Sequence, residues 1–180
     1  MEAIAAIEIM IKLKEVKPAV SRKLIVPSTI RYDQLHVLIQ LTFGWMNYHL
    51  YSFRLAHRPN LEYSAYNNDM TYFAKRIPAD QAYVYPDLQH DKVIYTYDFG
   101  ADWQHEITLK RTLTFDDVTT IQVPSCNWSR GANCAEDGGS AKLALPFDRR
   151  ELNARLALWS QAGEQLICAD DLGLMPKPNL

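Results

Sequence analysis

The residues best equipped for chemistry are two histidines and a few acids set close to turns. His49 leads the alternating run His49, Tyr51, Phe53, Leu55, and His105 lies near the start of Trp103, His105, Ile107, Leu109. Period-two alternation puts such residues on one face of a strand, so both imidazoles are expected to point inward. Asp98 and Asp102 flank Gly100, and Glu136-Asp137 sit in a loop with glycine and asparagine. If folding gathers these groups, they form an imidazole and carboxylate set of the kind that binds zinc or manganese or runs acid–base chemistry. The simpler alternative is structural: each histidine hydrogen-bonds a carboxylate or carbonyl and locks a hairpin, since buried polar groups must find partners. Residue type alone favours the simpler alternative, because convergent geometry, not composition, defines a site. Trp45 and Trp103 suit a pocket wall or the core, and the core is the commoner use.

Cys126 and Cys134 share the loop with Glu136 and Asp137. Zinc ligands usually come two to four residues apart, so a metal centre here needs His49 or His105 to join the two thiols in space. No paired Cys-x-x-Cys, His-Glu-x-x-His or phosphate-loop pattern is present, and Gly131 with Gly138-Gly139 reads as loop flexibility. His36 falls on the apolar face of a helix and reads as a satisfied core histidine. Lys12, Lys14, Lys17, Arg22 and Lys23 cluster around the first hairpin and form the basic set a nucleic acid would need. Outward lysines also guard sheet edges, which is their more routine use.

The elements that must position these residues follow from periodicity. Ile7, Ile9, Ile11 and Leu13 alternate with Glu8, Met10, Lys12 and Lys14; Pro18 marks a turn; Val20, Arg22, Leu24 and Val26 resume the alternation up to Pro27. Tyr32 to Phe43 recurs at helical spacing and Gly44 follows as its cap, predicting an amphipathic helix. A strand over 49–55 is expected beneath it. Residues 58–89 are expected to be irregular with a short strand or two. Val93 to Phe99 and Trp103 to Leu109 form a second hairpin around Gly100-Ala101-Asp102. A further strand is expected over Thr119 to Val123, then a loop over 124–140. Asp148 caps a last helix with Leu152, Leu156 and Trp159 on one side, closed by Gly163. The sum is an α+β fold, a large mixed and mostly antiparallel sheet packed by helices on one face.

Bulk properties narrow the classes. A chain of 180 residues, 48% of them hydrophobic, suits one domain over 1–180. A net charge of −2 with mixed signs gives no global field for nucleic acid or anionic lipid. No apolar run approaches the ~20 residues of a spanning helix, so no membrane partner is expected. Three cysteines, Cys126, Cys134 and Cys168, cannot all pair within one chain, which points to a reducing compartment, the cytoplasm.

Four segments in order carry a family resemblance: Leu35-His36 with Ile39-Gln40; Gly44-Trp45 with His49-Leu50 and Phe53; Tyr97-Asp98-Phe99-Gly100 with Asp102-Trp103 and His105; and Gly131-Ala132-Asn133-Cys134 with Glu136-Asp137 and Gly138-Gly139. Together they resemble the plasmid pRiA4b ORF-3-like family, which includes mobile-element passenger proteins. The resemblance implies an α+β fold with a large sheet and supplies no reaction. The chain departs from the pattern around the acidic dipeptide. Ala135 precedes it where relatives carry a proline pair, and Ser140-Ala141-Lys142 follow Gly139 where they carry an aromatic residue. No complete catalytic set is visible. The leading expectation is therefore a cytoplasmic binding or adaptor domain linked to plasmid or mobile-element biology. Its surface would come from the 124–140 loop and the turns near His49 and Gly100, and its partner would be protein or nucleic acid. The alternatives are a metal-assisted hydrolase or nuclease and a nucleic-acid binder using the basic hairpin.

Overall fold

A computed structural model describes residues 2–65, 75–137 and 144–162. Gly138-Gly139, residues 140–142, Gly163, Cys168 and the tail lie outside them. The strands are β1 (Ile4–Leu13), β2 (Val20–Pro27), β3 (Tyr51–Leu55), β4 (Arg58–Ser64), β5 (Lys75–Pro78), β6 (Val93–Tyr97), β7 (Trp103–Thr114) and β8 (Ser125–Arg130), with a short pair β9 (Asn133–Cys134) and β10 (Ala144–Leu145). The helices are α1 (Tyr32–Phe43), α2 (Val84–Leu88) and α3 (Arg149–Ala162), with a 3-10 turn at Ala79–Gln81. The first eight strands form one sheet in the order β5-β4-β3-β6-β7-β1-β2-β8. Only β4 and β5 run parallel, so the α+β, mixed-sheet class holds.

Alternation explains the sheet. Ile7, Ile9 and Ile11 of β1, Tyr95 and Tyr97 of β6 and Ile107 of β7 are sealed in one apolar cluster with Leu35, Leu38 and Ile39 of α1 and Leu152, Leu156 and Trp159 of α3. Helix α1 departs from expectation. All twelve of its residues are buried, polar ones included, so it is enclosed and not half-solvated. Those polar groups are satisfied: Thr42 Oγ1 donates to the Leu38 carbonyl at 2.6 Å, and Gln34 Oε1 accepts the Arg31 N–H at 3.0 Å. Gly44 ends the helix at φ 71°, the left-handed conformation that favours glycine. Helix α2 docks through Asp87, whose Oδ2 accepts from both Tyr32 and Tyr63 hydroxyls at 2.6 Å.

Three expectations are corrected. Thr119 to Val123 is a turn-rich segment and not a strand. Asp117 Oδ2 accepts from the Thr114 N–H and hydroxyl at 2.8 and 3.0 Å, which bends the chain out of β7. Val118, Ile121 and Val123 then cover Ala6, Ile25 and Leu113 on the opposite sheet face. The missing strand is β8, inside the supposed 124–140 loop, and its outer edge is covered by α3. Asn153 of α3 accepts the Cys126 N–H at 2.6 Å and donates to the Cys126 carbonyl at 3.0 Å, imitating a paired strand. His49 also lies outside the strand expected to carry it, since β3 begins at Tyr51.

Gly131 has a structural duty. At φ 79° its missing side chain lets it approach the first hairpin, and an added Cβ would stand 2.5 Å from the Ala19 carbonyl oxygen and 3.2 Å from Val20. At Gly44, φ 71°, the added Cβ would meet only Asn133 Nδ2, at 3.2 Å. Both positions incur the roughly 1–2 kcal/mol left-handed penalty on substitution. Gly131→Ala adds a backbone clash and is expected to lower stability about twice as much as Gly44→Ala, as measured by urea melts; equal losses would contradict this packing.

Candidate functional site

Three separated segments meet at one corner of the sheet. After Gly44 the chain runs under α1 to His49. Trp45 and Trp103 are buried and donate their indole N–H groups to the Cys134 and Glu136 carbonyls at 2.9 and 3.2 Å. Glu136 itself is buried: one carboxylate oxygen accepts from the Tyr97 hydroxyl and the other from the Met46 N–H at 2.7 Å. Burial, then the Glu136 carboxylate, raise the Tyr97 phenol well above its usual range, so it stays a donor. Tyr97 oxygen also accepts the His49 N–H at 3.2 Å. These contacts leave Asp137 projecting beside His49.

His49 Nε2 lies 3.2 Å from Asp137 Oδ1 and 3.5 Å from Asp98 Oδ2. One ligand atom of each of the three residues lies within 4.8 Å of the others. Exposure grades outward, with side chains 16% exposed at Asp98, 34% at His49 and 72% at Asp137, so the group opens to solvent. Asp98 is fixed by its turn. At φ 57° its Oδ1 accepts the Gly100 and Ala101 N–H groups at 3.1 and 3.2 Å, leaving Oδ2 for His49.

The remaining sequence candidates go elsewhere. His105 is fully buried among Phe43, Trp45 and Tyr95, and its Nδ1 faces the Trp103 carbonyl at 3.1 Å. Burial lowers its pKa to about 3, so it is a neutral core residue outside the His49 group. The pleat explains this: its inward parity on β7 leads into the core, while His49, ahead of β3, is free of that constraint. Asp102 accepts from Gln104 Nε2 at 3.1 Å. Cys126 and Cys134 are buried and form no disulfide, and neither belongs to the ligand group. Burial raises the Cys126 thiol, which opposes the thiolate a metal requires.

The basic set also divides. Lys12, Lys14 and Lys17 are exposed. Lys23 Nζ lies 3.9 Å from Glu8. Arg22 is fully buried and is no phosphate ligand. It donates to the Ser21 and Arg130 carbonyls and Asn133 Oδ1 at 2.7–2.9 Å, with its guanidinium 3.8 Å from the Phe147 ring centroid. Burial lowers its pKa to about 10, which leaves it charged near neutrality.

Two features had little sequence signal. A cavity of about 350 Å³ adjoins His49, lined by α1, the 47–51 segment, the end of β4 and the 3-10 turn. Its wall is held by a hydrogen-bond circuit. Gln40 donates to the Tyr95 hydroxyl at 3.0 Å, Tyr95 to His36 Nδ1 at 2.8 Å, His36 Nε2 to Asn47 Oδ1 at 2.7 Å, and the Asn47 N–H returns to Gln40 Oε1 at 3.0 Å. His36 was recognisable as a core residue, but its partner Asn47, at φ 58°, was not.

Residues 5–143 match the model of the plasmid pRiA4b ORF-3-like protein family. The chain belongs to that family. The uncharacterized protein y4hQ of Sinorhizobium fredii (strain NBRC 101917 / NGR234) is 34% identical over 112 residues, 60% of this chain and 55% of that protein, so the chain spans little more than half the relative's length. The crystal structure of MM3350, a protein of unknown function from Methanosarcina mazei Go1, is similar with a TM-score of 0.65 at 25% identity, covering 74% of each chain. Family membership thus accounts for the sheet, and these relatives bring no activity with them.

Burial lowers the pKa of His36 to about 4 and of His105 to about 3, from 6.5. The unfolded chain therefore takes up protons first as pH falls, and the stability these neutral rings contribute above about pH 6.5 is lost towards pH 4 and below. Urea midpoints are expected to drop between pH 7 and pH 5, with a shallower drop in His105→Phe. A flat profile in the native protein would contradict the burial of both rings.

Proposed function

We propose that the protein is a binding domain whose working surface is the corner made by His49, Asp98 and Asp137, with a divalent ion, zinc or manganese, as its anchor. The observation that carries this reading is the convergence of three ligand atoms from three chain segments within 4.8 Å. Ligands ~2.0–2.1 Å from a tetrahedral zinc stand about 3.3–3.4 Å apart, close to the 3.2 and 3.5 Å separations at His49 Nε2. Without an ion, the same spacing serves a hydrogen bond from the imidazole to one carboxylate. Binding is favoured over catalysis because the neighbouring carboxylates are engaged, Glu136 by Tyr97 and Met46 and Asp102 by Gln104. The second reading, a metal-assisted hydrolase or nuclease, is favoured by one point: three protein ligands leave a coordination position open for water.

In this reading residues 1–180 act as one domain with α1 and α3 on the same side of the sheet, which their shared apolar cluster supports. The buried Cys126 and Cys134 thiols suit a cytoplasmic setting. No helix among the described residues is long and apolar enough to cross a membrane. The plasmid link rests on the family's name; a role in mobile-element biology, with a protein or a nucleic acid as partner, is part of the proposal. A nucleic-acid role would rest on Lys12, Lys14 and Lys17. Lys12 stands in register with Glu106 on the neighbouring strand, which weakens that role.

Calorimetric titration with zinc and manganese is expected to show one ion per chain, with affinity reduced at least about tenfold in Asp137→Ala, whose exposed side chain is dispensable for folding. Absence of stoichiometric binding by either ion would overturn the anchor. Metal-dependent cleavage of a phosphodiester substrate, lost in His49→Ala, would move the assignment to the hydrolase. Binding to labelled DNA that weakens steeply with salt and is lost on removing Lys12 and Lys14 would move it to nucleic acid.

A further inference from the structure

The cavity shares His49 with the ion-binding corner, and the rest of its lining has a chemical character of its own. Its volume of about 350 Å³ is that of a small-molecule site. Among the described residues two carboxylates line it, Asp33 and Asp80, together with His36, His49, Tyr48 and Tyr51 and no lysine or arginine. The Asp33 charge is already answered by Arg31, whose Nε and Nη2 reach its two oxygens at 3.0 and 3.2 Å. Asp80 makes no ion pair among the described residues and is exposed at the rim. At the floor, His36 is stacked on Tyr51 with ring centroids 3.6 Å apart, and its Nε2 is engaged by Asn47. Burial lowers its pKa to about 4, so it offers no positive charge to an anion near neutrality. Tyr48 and Leu50 are 66% and 45% exposed beside the opening and offer apolar surface there.

From this we propose that the cavity binds a compact organic cation, an alkylammonium or guanidinium group set against Asp80 and the Tyr48 ring with its apolar stem against Leu50. A carboxylate without a counter-ion attracts a cation, and the face of a tyrosine ring adds to that attraction. The absence of lysine and arginine from the described lining disfavours phosphates and carboxylates. The small apolar walls at Ala65 and Ala79 leave room for the alkyl part of such a ligand. The inference extends the binding-domain reading and needs no metal.

The test uses the full chain in the presence of a chelator, titrated with n-butylamine and n-butylguanidine, with n-butanol and butyrate as neutral and anionic counterparts. Amide shifts at Asn47, Ser64 and Asp80 are followed by NMR. Saturable shifts with the two cations at roughly millimolar affinity, and none with butanol or butyrate, are expected for a fragment of this size. Asp80→Asn and Tyr48→Ala are each expected to weaken binding at least about fivefold, while Asp117→Asn, an exposed acid in the remote turn after β7, leaves it unchanged. The proposal is overturned if butanol binds as well as butylamine, if no amide shifts, or if Asp80→Asn binds like the native protein. Amine binding in chelator from a chain that takes up no zinc or manganese would reject the ion anchor and keep the cavity; the reverse pattern would do the opposite.

Discussion

The arrangement depends on one buried carboxylate. Glu136 has one oxygen on the Tyr97 hydroxyl and the other on the Met46 N–H. A buried carboxylate persists only when its acceptor sites are filled, and hydrogen bonds to a charged group are each worth about 1.5–3 kcal/mol. The same contacts join the end of β6, the loop after α1 and the segment after β9. Met46 precedes His49 by a few residues, Asp98 follows Tyr97, and Asp137 follows Glu136. The exposed corner is thus the solvent-facing continuation of a buried clasp.

Much of this was legible in the sequence because alternation is strict where burial is strict. Helix α1 with its Gly44 cap, the opening hairpin and the β6–β7 hairpin all follow from period and turn chemistry. Arg22 and His105 show the limit: each sits at the inward parity of its strand, between apolar neighbours, yet residue type suggested a surface cation and a ligand. Parity was the better guide, since one inward-facing polar side chain can find acceptors for most of its donors, as Arg22 does through Nη1 and Nη2 while its Nε stays without a partner among the described residues, without disturbing the pattern. Strand β8 was missed for a different reason. Cys126 and Trp128 are too few apolar residues to show an alternation, a register shift falls between their pairings with Leu24 and Lys23, and the strand's pairing depends on β2 and Asn153, both remote in sequence.

The corner itself was half legible. His49, Asp98 and Asp137 could each be named, but their union could not be read from spacing, because turn conformations at Asn47 and Asp98 and the distant clasp at Glu136 bring them together. The neighbouring cavity was not legible at all: Asp33, Asp80 and Ser64 belong to unrelated elements. The division of labour is nonetheless clear. Trp45, Tyr97, Trp103 and Glu136 are buried and hold position; His49, Asp137, Tyr48 and Leu50 face solvent on that support.

Hydrogen exchange in Glu136→Ala tests the clasp most directly. In that variant the Met46 amide, which loses its acceptor, and the His49 amide, whose acceptor Tyr97 loses its carboxylate partner, are expected to exchange faster, while the amides of β1 and β2 keep native protection. Native protection at Met46 and His49 in that variant would show that the loops hold their places without Glu136, and the central claim would fall.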